Sequence, residues 1–248
     1  MGTLCLAMVR ITAFFVTAPF FGVKSAPLLL KAALGLLIAV LFWPFLPPTE
    51  LSGWGLILAA LSESVLGLAL GYLVSLVFSA IQIAGQLLDV QMGLAMAGIF
   101  DPQNAFHTTL VGQFLSILGL LLFFLVDGHH VLLLGLQESF QLLPPGKMAL
   151  GLQLAGVAAE FFCQAFTLAV RVASPVIAVL VVADLALSLV ARTVPQLNVF
   201  ILGFPLKAGL GMIVLLAILP LLVTAFTGLF GQLEQDLLLL LRGWANDV

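Results

Sequence analysis

A polar segment interrupts an otherwise apolar sequence, and its carboxylates are candidates for proton transfer. Residues 85–109 read GQLLDVQMGLAMAGIFDPQNAFHTT and lie between two long apolar runs. Asp89 and Asp101 are the carboxylates of this segment, and carboxylates inside membrane segments often relay protons. Lipid cannot satisfy such polar groups, so the segment must face protein or water. We interpret it as part of a pathway or as a contact surface.

The spacing inside this segment leaves two questions open. Asp101 precedes Pro102, and proline disfavours helical backbone at the preceding residue, so we prefer a turn or a helix start to a proton relay at Asp101. Met92 and Met96 are four residues apart and share a helix face if the segment is helical. They form either a flexible core contact or a deformable seal that closes a passage.

The run Asp127-Gly128-His129-His130 contains residue types that bind metals. Neighbouring histidines on a helix point about 100° apart, and a zinc site needs three or four converging ligands. Gly128 indicates a short turn instead. We therefore expect no metal site, and nothing in the sequence indicates another cofactor.

Three charged residues interrupt one apolar segment near the C-terminal end. Glu160 and Arg171 are eleven residues apart, which places them on one helix face, about 16 Å apart along the axis. Asp184 falls on a different face. Pro175 lies between Arg171 and Asp184 in the sequence and should kink the helix. Charges are costly in lipid, so each needs a partner on another helix or another chain. This pattern favours an assembly surface or a water-filled lumen.

No motif for nucleophilic, metal-dependent or phosphate chemistry is present in the sequence. The eight basic residues are too few and too scattered for a nucleic-acid surface. Cys5 and Cys163 lie in apolar stretches, where we expect small buried hydrophobic residues. These observations argue against an enzyme.

The composition is that of a membrane protein, with 63% hydrophobic and 8% charged residues, against about half and a quarter in soluble domains. Four uncharged runs, each near or above the ~20 residues that cross a bilayer, lie between Lys31 and Glu50, Glu63 and Asp89, Asp101 and Asp127, and Lys207 and Glu234. Residues 4–21 and 158–190 are weaker candidates. We predict an all-α integral membrane protein with about six hydrophobic helical segments.

Three blocks of sequence are typical of one known family. The first is Gly85-Gln86, Asp89-Val90-Gln91-Met92-Gly93, Met96-Ala97 and Asp101-Pro102-Gln103; the second is Leu110-Val111-Gly112-Gln113-Phe114-Leu115, Asp127-Gly128-His129 and Glu138-Ser139-Phe140. The third runs from Ala173-Ser174-Pro175-Val176 through Asp184 and Arg192 to Gly203-Phe204-Pro205-Leu206-Lys207. In this order and spacing they resemble the FliR family of flagellar biosynthesis proteins over essentially the whole chain.

The resemblance implies a subunit of the export gate of type III secretion, located in the bacterial inner membrane at the flagellar basal body. It implies bent helical hairpins in a helical assembly with several copies each of two other small hydrophobic subunits. A further membrane protein, the substrate-specificity switch, docks on that assembly, and unfolded flagellar subunits pass through it. No small-molecule ligand and no nucleic acid is expected as a partner.

The resemblance also divides the chain into parts with different roles. Residues 1–155 correspond to an N-terminal helical part that contains a plug loop at about 91–106, and residues 156–248 to a C-terminal helical hairpin. The expected plug residues are Gln91, Met92, Gly93, Met96, Phe100, Asp101, Pro102, Gln103 and Phe106. The expected subunit-interface residues are Glu160, Arg171, Pro175, Asp184 and Arg192. The alternative is a self-contained proton-coupled secondary transporter that uses Asp89, Asp101 or Asp184.

Overall fold

The computed structural model describes residues 2–19, 28–49, 51–96, 110–146, 154–194 and 199–245. Within these ranges all regular secondary structure is helical, which confirms the predicted all-α fold. The helices are α1 (Gly2–Thr17), α2 (Leu28–Phe42), α3 (Trp54–Met92), α4 (Leu110–Leu125), α5 (Gly128–Leu142), α6 (Leu154–Thr193) and α7 (Val199–Ala245). Two single turns of 3₁₀ helix occupy Trp43–Phe45 and Leu94–Met96.

Three of the described helices are long and apolar enough to cross a membrane: Trp54–Met92, Ala159–Thr193 and Leu202–Trp244. Helices α4 and α5, separated by two residues, add a fourth candidate if they form one broken span. The chain is therefore a helical membrane protein, as predicted, and the expected count of six segments is approximate. Sequence reasoning missed α5, because it placed a turn at Gly128 and sought long uncharged runs.

The predicted break at 85–109 begins later than expected, because α3 continues to Met92 and carries Asp89 and Gln91. Gly93 ends the helix in the left-handed region, at φ +80°, where glycine is the least strained residue. Met96 lies in the following 3₁₀ turn. The α-helix therefore ends between Met92 and Met96, so the continuous helix on which their shared face depended is absent at these residues.

The described chain forms two compact units, each made of separate stretches of sequence. Unit 1 comprises Met1–Val77, Asp127–Cys163 and Phe230–Val248, and unit 2 comprises Phe78–Val126 and Gln164–Leu229. The division at residue 155 that the resemblance implies stays a prediction. Cys5 and Cys163 are exposed, so the expectation that they are buried is wrong for the chain by itself.

In unit 1, α1 packs closely against α3 through two glycines one turn apart. A Cβ at Gly67 would overlap the backbone carbonyl of Arg10, and a Cβ at Gly71 would overlap Thr17. Small residues spaced four apart let membrane helices approach each other in this way. The close approach brings the middle of α1 against the part of α3 that carries Glu63.

Helix α6 is continuous through Pro175, and the kink that the sequence predicts there stays a prediction. Proline has no N–H to donate to the carbonyl one turn earlier, which here belongs to Arg171. The hydroxyl of Ser174 donates to that carbonyl instead, at 2.9 Å. A local side chain thus satisfies the acceptor that the proline leaves open, as membrane helices require.

Candidate functional site

The base of the polar segment, in unit 2, is built around the buried carboxylate of Asp89. One oxygen accepts the backbone N–H of Val111 at 3.1 Å, and the other accepts that of Gly112 at 3.0 Å. These N–H groups lie in the first turn of α4, where the helix supplies no acceptor. A carboxylate is also favoured there by the partial positive charge of a helix N-terminus. Asp89, at the end of α3, therefore caps α4.

Two glycines make this cap possible. Gly85 lies one turn before Asp89 on α3, and a Cβ there would overlap the backbone of Gly112. Without side chains at this crossing, the two helices approach until the carboxylate reaches the N–H groups of α4. We call Gly85, Asp89, Val111 and Gly112 the Asp89 latch. Because residues 93–109 connect α3 to α4, the latch joins the two helices from which that segment leaves.

A second polar cluster in unit 2 joins α3, α6 and α7. The amide of Gln91 donates to Asp184 at 3.5 Å, and the ammonium group of Lys207 forms an ion pair with the same carboxylate. The side chains of Asp184 and Lys207 are 38% and 27% exposed. Asp184 therefore has its charged partner on another helix of the same chain, one of the two options that the sequence analysis left open.

Met92 and Gly93 lie where α3 ends and the polar segment continues. Met92 is fully buried, and its thioether lies so close to Gly211 of α7 that a Cβ there would overlap it. A side chain at Gly93 would be strained, and its Cβ would lie 3.0 Å from the ring of Phe204. Met92 is thus a packed core contact, in line with the simpler interpretation of this residue. Its role as a seal stays a prediction.

Five of the predicted plug residues lie outside the described residues: Phe100, Asp101, Pro102, Gln103 and Phe106. Met96 belongs to the 3₁₀ turn at Leu94–Met96. The structure therefore brings Gln91, Met92 and Gly93 to the base of the segment, and the plug assignment itself stays a prediction.

The predicted interface residues lie on α6. Glu160, Arg171 and Arg192 are exposed in the chain, and Pro175 is half-buried. Neither arginine forms an ion pair with another residue in the described ranges. Exposed arginines on a membrane-spanning helix favour a protein partner over lipid, and the interface assignment stays a prediction.

Sequence reasoning missed a buried charge cluster in unit 1. Arg10 and Glu63 are both fully buried, and the guanidinium Nε donates to the carboxylate at 2.5 Å. The remaining contacts involve the end of α5 and the turn after it. Nη1 of Arg10 donates to the carbonyl and the hydroxyl of Ser139 at 2.8 and 3.2 Å, and Nη2 donates to the carbonyl of Leu143 at 2.8 Å. The backbone N–H of Gly146 donates to the carboxylate of Glu63 at 3.1 Å. The ring of Phe140 lies 4.3 Å from the guanidinium carbon.

This Arg10–Glu63 cluster ties three helices together. It neutralises two charges and places a cation at the C-terminal end of α5, where a helix favours one. From the sequence, Glu63 served only as the boundary of an uncharged run, and Arg10 was not singled out. The signal that could have found them is that each is an isolated charge in an apolar stretch, with opposite signs, since such charges pair in membrane proteins.

The chain is similar to known bacterial proteins over most of its length. Residues 1–233 match the family described as bacterial export proteins, family 1. The flagellar biosynthetic protein FliR of Bacillus subtilis is 36% identical over 91% of this chain and 89% of its own length. The FliR proteins of Aquifex aeolicus and Escherichia coli are 34% and 30% identical over 92% and 91% of this chain, and 89% and 87% of their own lengths.

Proposed function

Because the chain belongs to the bacterial export proteins, family 1, we propose that it is a subunit of the flagellar type III protein export gate. In this role it lines and plugs the channel through which unfolded flagellar subunits are secreted. The family is a structural component of flagellar export and not an enzyme family, and the chain is a membrane protein. We place it in the bacterial inner membrane, at the flagellar basal body.

The Asp89 latch is the observation that carries the plugging role. A plug must be held firmly when closed, yet be able to move without unfolding the helices beside it. The latch meets both needs, because it fixes the ends of α3 and α4 by two hydrogen bonds to one carboxylate. Gln91 and Met92 lie inside α3, and the segment between the helices holds the other seven predicted plug residues, from Gly93 to Phe106. Their movement requires no break inside either helix.

The surfaces of α6 and α7 support a role as one subunit among several. In the most apolar 18-residue stretch of each helix, only 22% is buried within the chain. Arg171 and Arg192 are exposed on α6, and arginine facing lipid is costly. Neighbouring protein surfaces satisfy both groups better than lipid does. The partners we propose are the two small hydrophobic gate subunits, in several copies each, and the substrate-specificity switch protein.

The proton-coupled transporter is the less favoured function, because two of its candidate carboxylates are already engaged. Asp89 accepts two backbone N–H groups, and Asp184 pairs with Lys207. A carboxylate that binds and releases protons during transport must leave such partners in every cycle. Both carboxylates instead hold helices in place.

Mass spectrometry of the intact complex tests the proposal. The tagged chain is purified gently from its native membrane, and the masses of the complex and of its released subunits are measured. We expect one copy of this chain with several copies of two small hydrophobic proteins. A monomer, or a symmetric assembly of this chain alone, contradicts the gate function and redirects attention to proton-coupled transport.

A further inference from the structure

The entry to α5, in unit 1, brings three metal-binding side chains together. One ligand atom from each of Asp127, His129 and His130 lies within 4.8 Å of the others. The sequence argument against a metal site was that neighbouring histidines diverge along a helix. In the structure the two imidazole rings turn back toward each other and stack, with centroids 4.6 Å apart.

The backbone at Asp127 directs its carboxylate to this cluster. Among the described residues, Asp127 is the only one other than glycine with positive φ, at 55°. It precedes the first residue of α5, where aspartate usually accepts an N–H of the first turn. Its side chain makes no such bond and lies 3.9 Å from Nδ1 of His130. A left-handed backbone at a residue that does not cap its helix is uncommon, and such strained conformations concentrate at functional sites.

We propose that Asp127, His129 and His130 bind a late first-row divalent cation such as Zn²⁺, with water completing the coordination. Two imidazoles and one carboxylate suit zinc, copper or nickel better than the oxygen-preferring magnesium or calcium. Catalytic zinc sites also use three protein ligands of these types with one open position. The site shares no residue with the proposed plug, and the proposal does not depend on the gate function.

The present geometry must change to hold the ion, because the nitrogen lone pairs lie in the ring planes and the stacked imidazoles must tilt before both point at one cation. Tetrahedral zinc with bonds of about 2.0–2.1 Å separates its ligand atoms by about 3.3 Å, against a spread of up to 4.8 Å here. The side chains of His130 and Asp127 are 67% and 72% exposed, so both rotate without repacking the core. The simpler alternative is a weak surface ion pair between a protonated His130 and Asp127.

Zinc and cobalt binding to the purified full-length chain tests this proposal. Affinity for Zn²⁺ is measured by competition with a chromophoric chelator, and Co²⁺ supplies an absorption spectrum that reports its ligands. Asp127→Asn tolerates the left-handed backbone but removes the anionic oxygen, and His130→Gln removes an imidazole. Glu138→Gln is the matched control, because Glu138 is a carboxylate on the same helix and does not belong to the cluster.

We expect one Zn²⁺ per chain, and an affinity reduced at least about tenfold by Asp127→Asn and by His130→Gln, since even second-shell changes cost that much. The two variants should also lose the cobalt spectrum, and Glu138→Gln should change neither the affinity nor the spectrum. Circular dichroism and size-exclusion chromatography check that the variants keep the fold. Absence of saturable binding, or an affinity that neither variant changes, overturns the site and indicates an adventitious ion only.

Discussion

Replacing Asp89 by alanine should open the base of the polar segment. The carboxylate is fully buried and accepts two N–H groups at 3.0 and 3.1 Å. Hydrogen bonds to charged groups contribute about 1.5–3 kcal/mol each, so the pair contributes about 3–6 kcal/mol. Asp89→Asn keeps one acceptor oxygen and should lose about half of this. Since 1.4 kcal/mol corresponds to a factor of ten in an equilibrium constant, a loss of about 3 kcal/mol in Asp89→Ala raises the population without these two hydrogen bonds about a hundredfold.

Amide hydrogen exchange measures this latch directly. In Asp89→Ala the amides of Val111 and Gly112 should exchange about a hundredfold faster, with an intermediate change in Asp89→Asn, and ion leakage through the assembled complex should increase in the same order. Gln82→Ala is the matched control, because Gln82 lies on the same helix and is half-buried outside the latch. Unchanged exchange at both amides in a correctly assembled Asp89→Ala complex refutes the latch.

Three further substitutions test the packing and the interface. Arg10→Ala leaves Glu63 buried without its cation and should destabilise the chain by about 3–5 kcal/mol; a denaturation midpoint equal to that of the wild type contradicts the buried pair. Gly85→Ala should lower the melting temperature clearly. Gly228→Ala is its control: a Cβ there meets nothing within 4 Å, so the melting temperature should stay equal or rise slightly because alanine favours helix. Equal effects of the two substitutions argue against the tight helix crossing. Arg171→Ala should reduce the yield of assembled complex without changing the stability of the isolated chain, and a normal yield counts against its interface role.

The fold class could be predicted from the sequence because long apolar runs are a strong and local signal. Helix ends could not be predicted as well, since they were placed at charges that the helices in fact contain. Glu63 lies within α3 because Arg10 neutralises it, and Lys207 lies within α7 beside Asp184. Such pairings join residues distant in sequence, so a single sequence carries little trace of them.

The candidate site was located by its polar residues, but their roles required the structure. Asp89 was a candidate proton carrier, whereas in the structure it caps α4. That role depends on the contact between Gly85 and Gly112, which nothing in the sequence spacing indicates. The candidate metal ligands Asp127, His129 and His130 were recognised in the sequence and set aside on ideal helix geometry, which does not describe the left-handed residue at the start of α5.

Ion leakage after deletion of residues 98–106 tests the plugging role most directly. The complex carrying the deletion is purified, its mass is checked, and its ion flux is measured in lipid vesicles beside that of the wild type. Removal of the predicted plug should leave the assembly intact and make the vesicles leak ions. An assembled complex that stays as tight to ions as the wild type contradicts the account that this segment closes the channel.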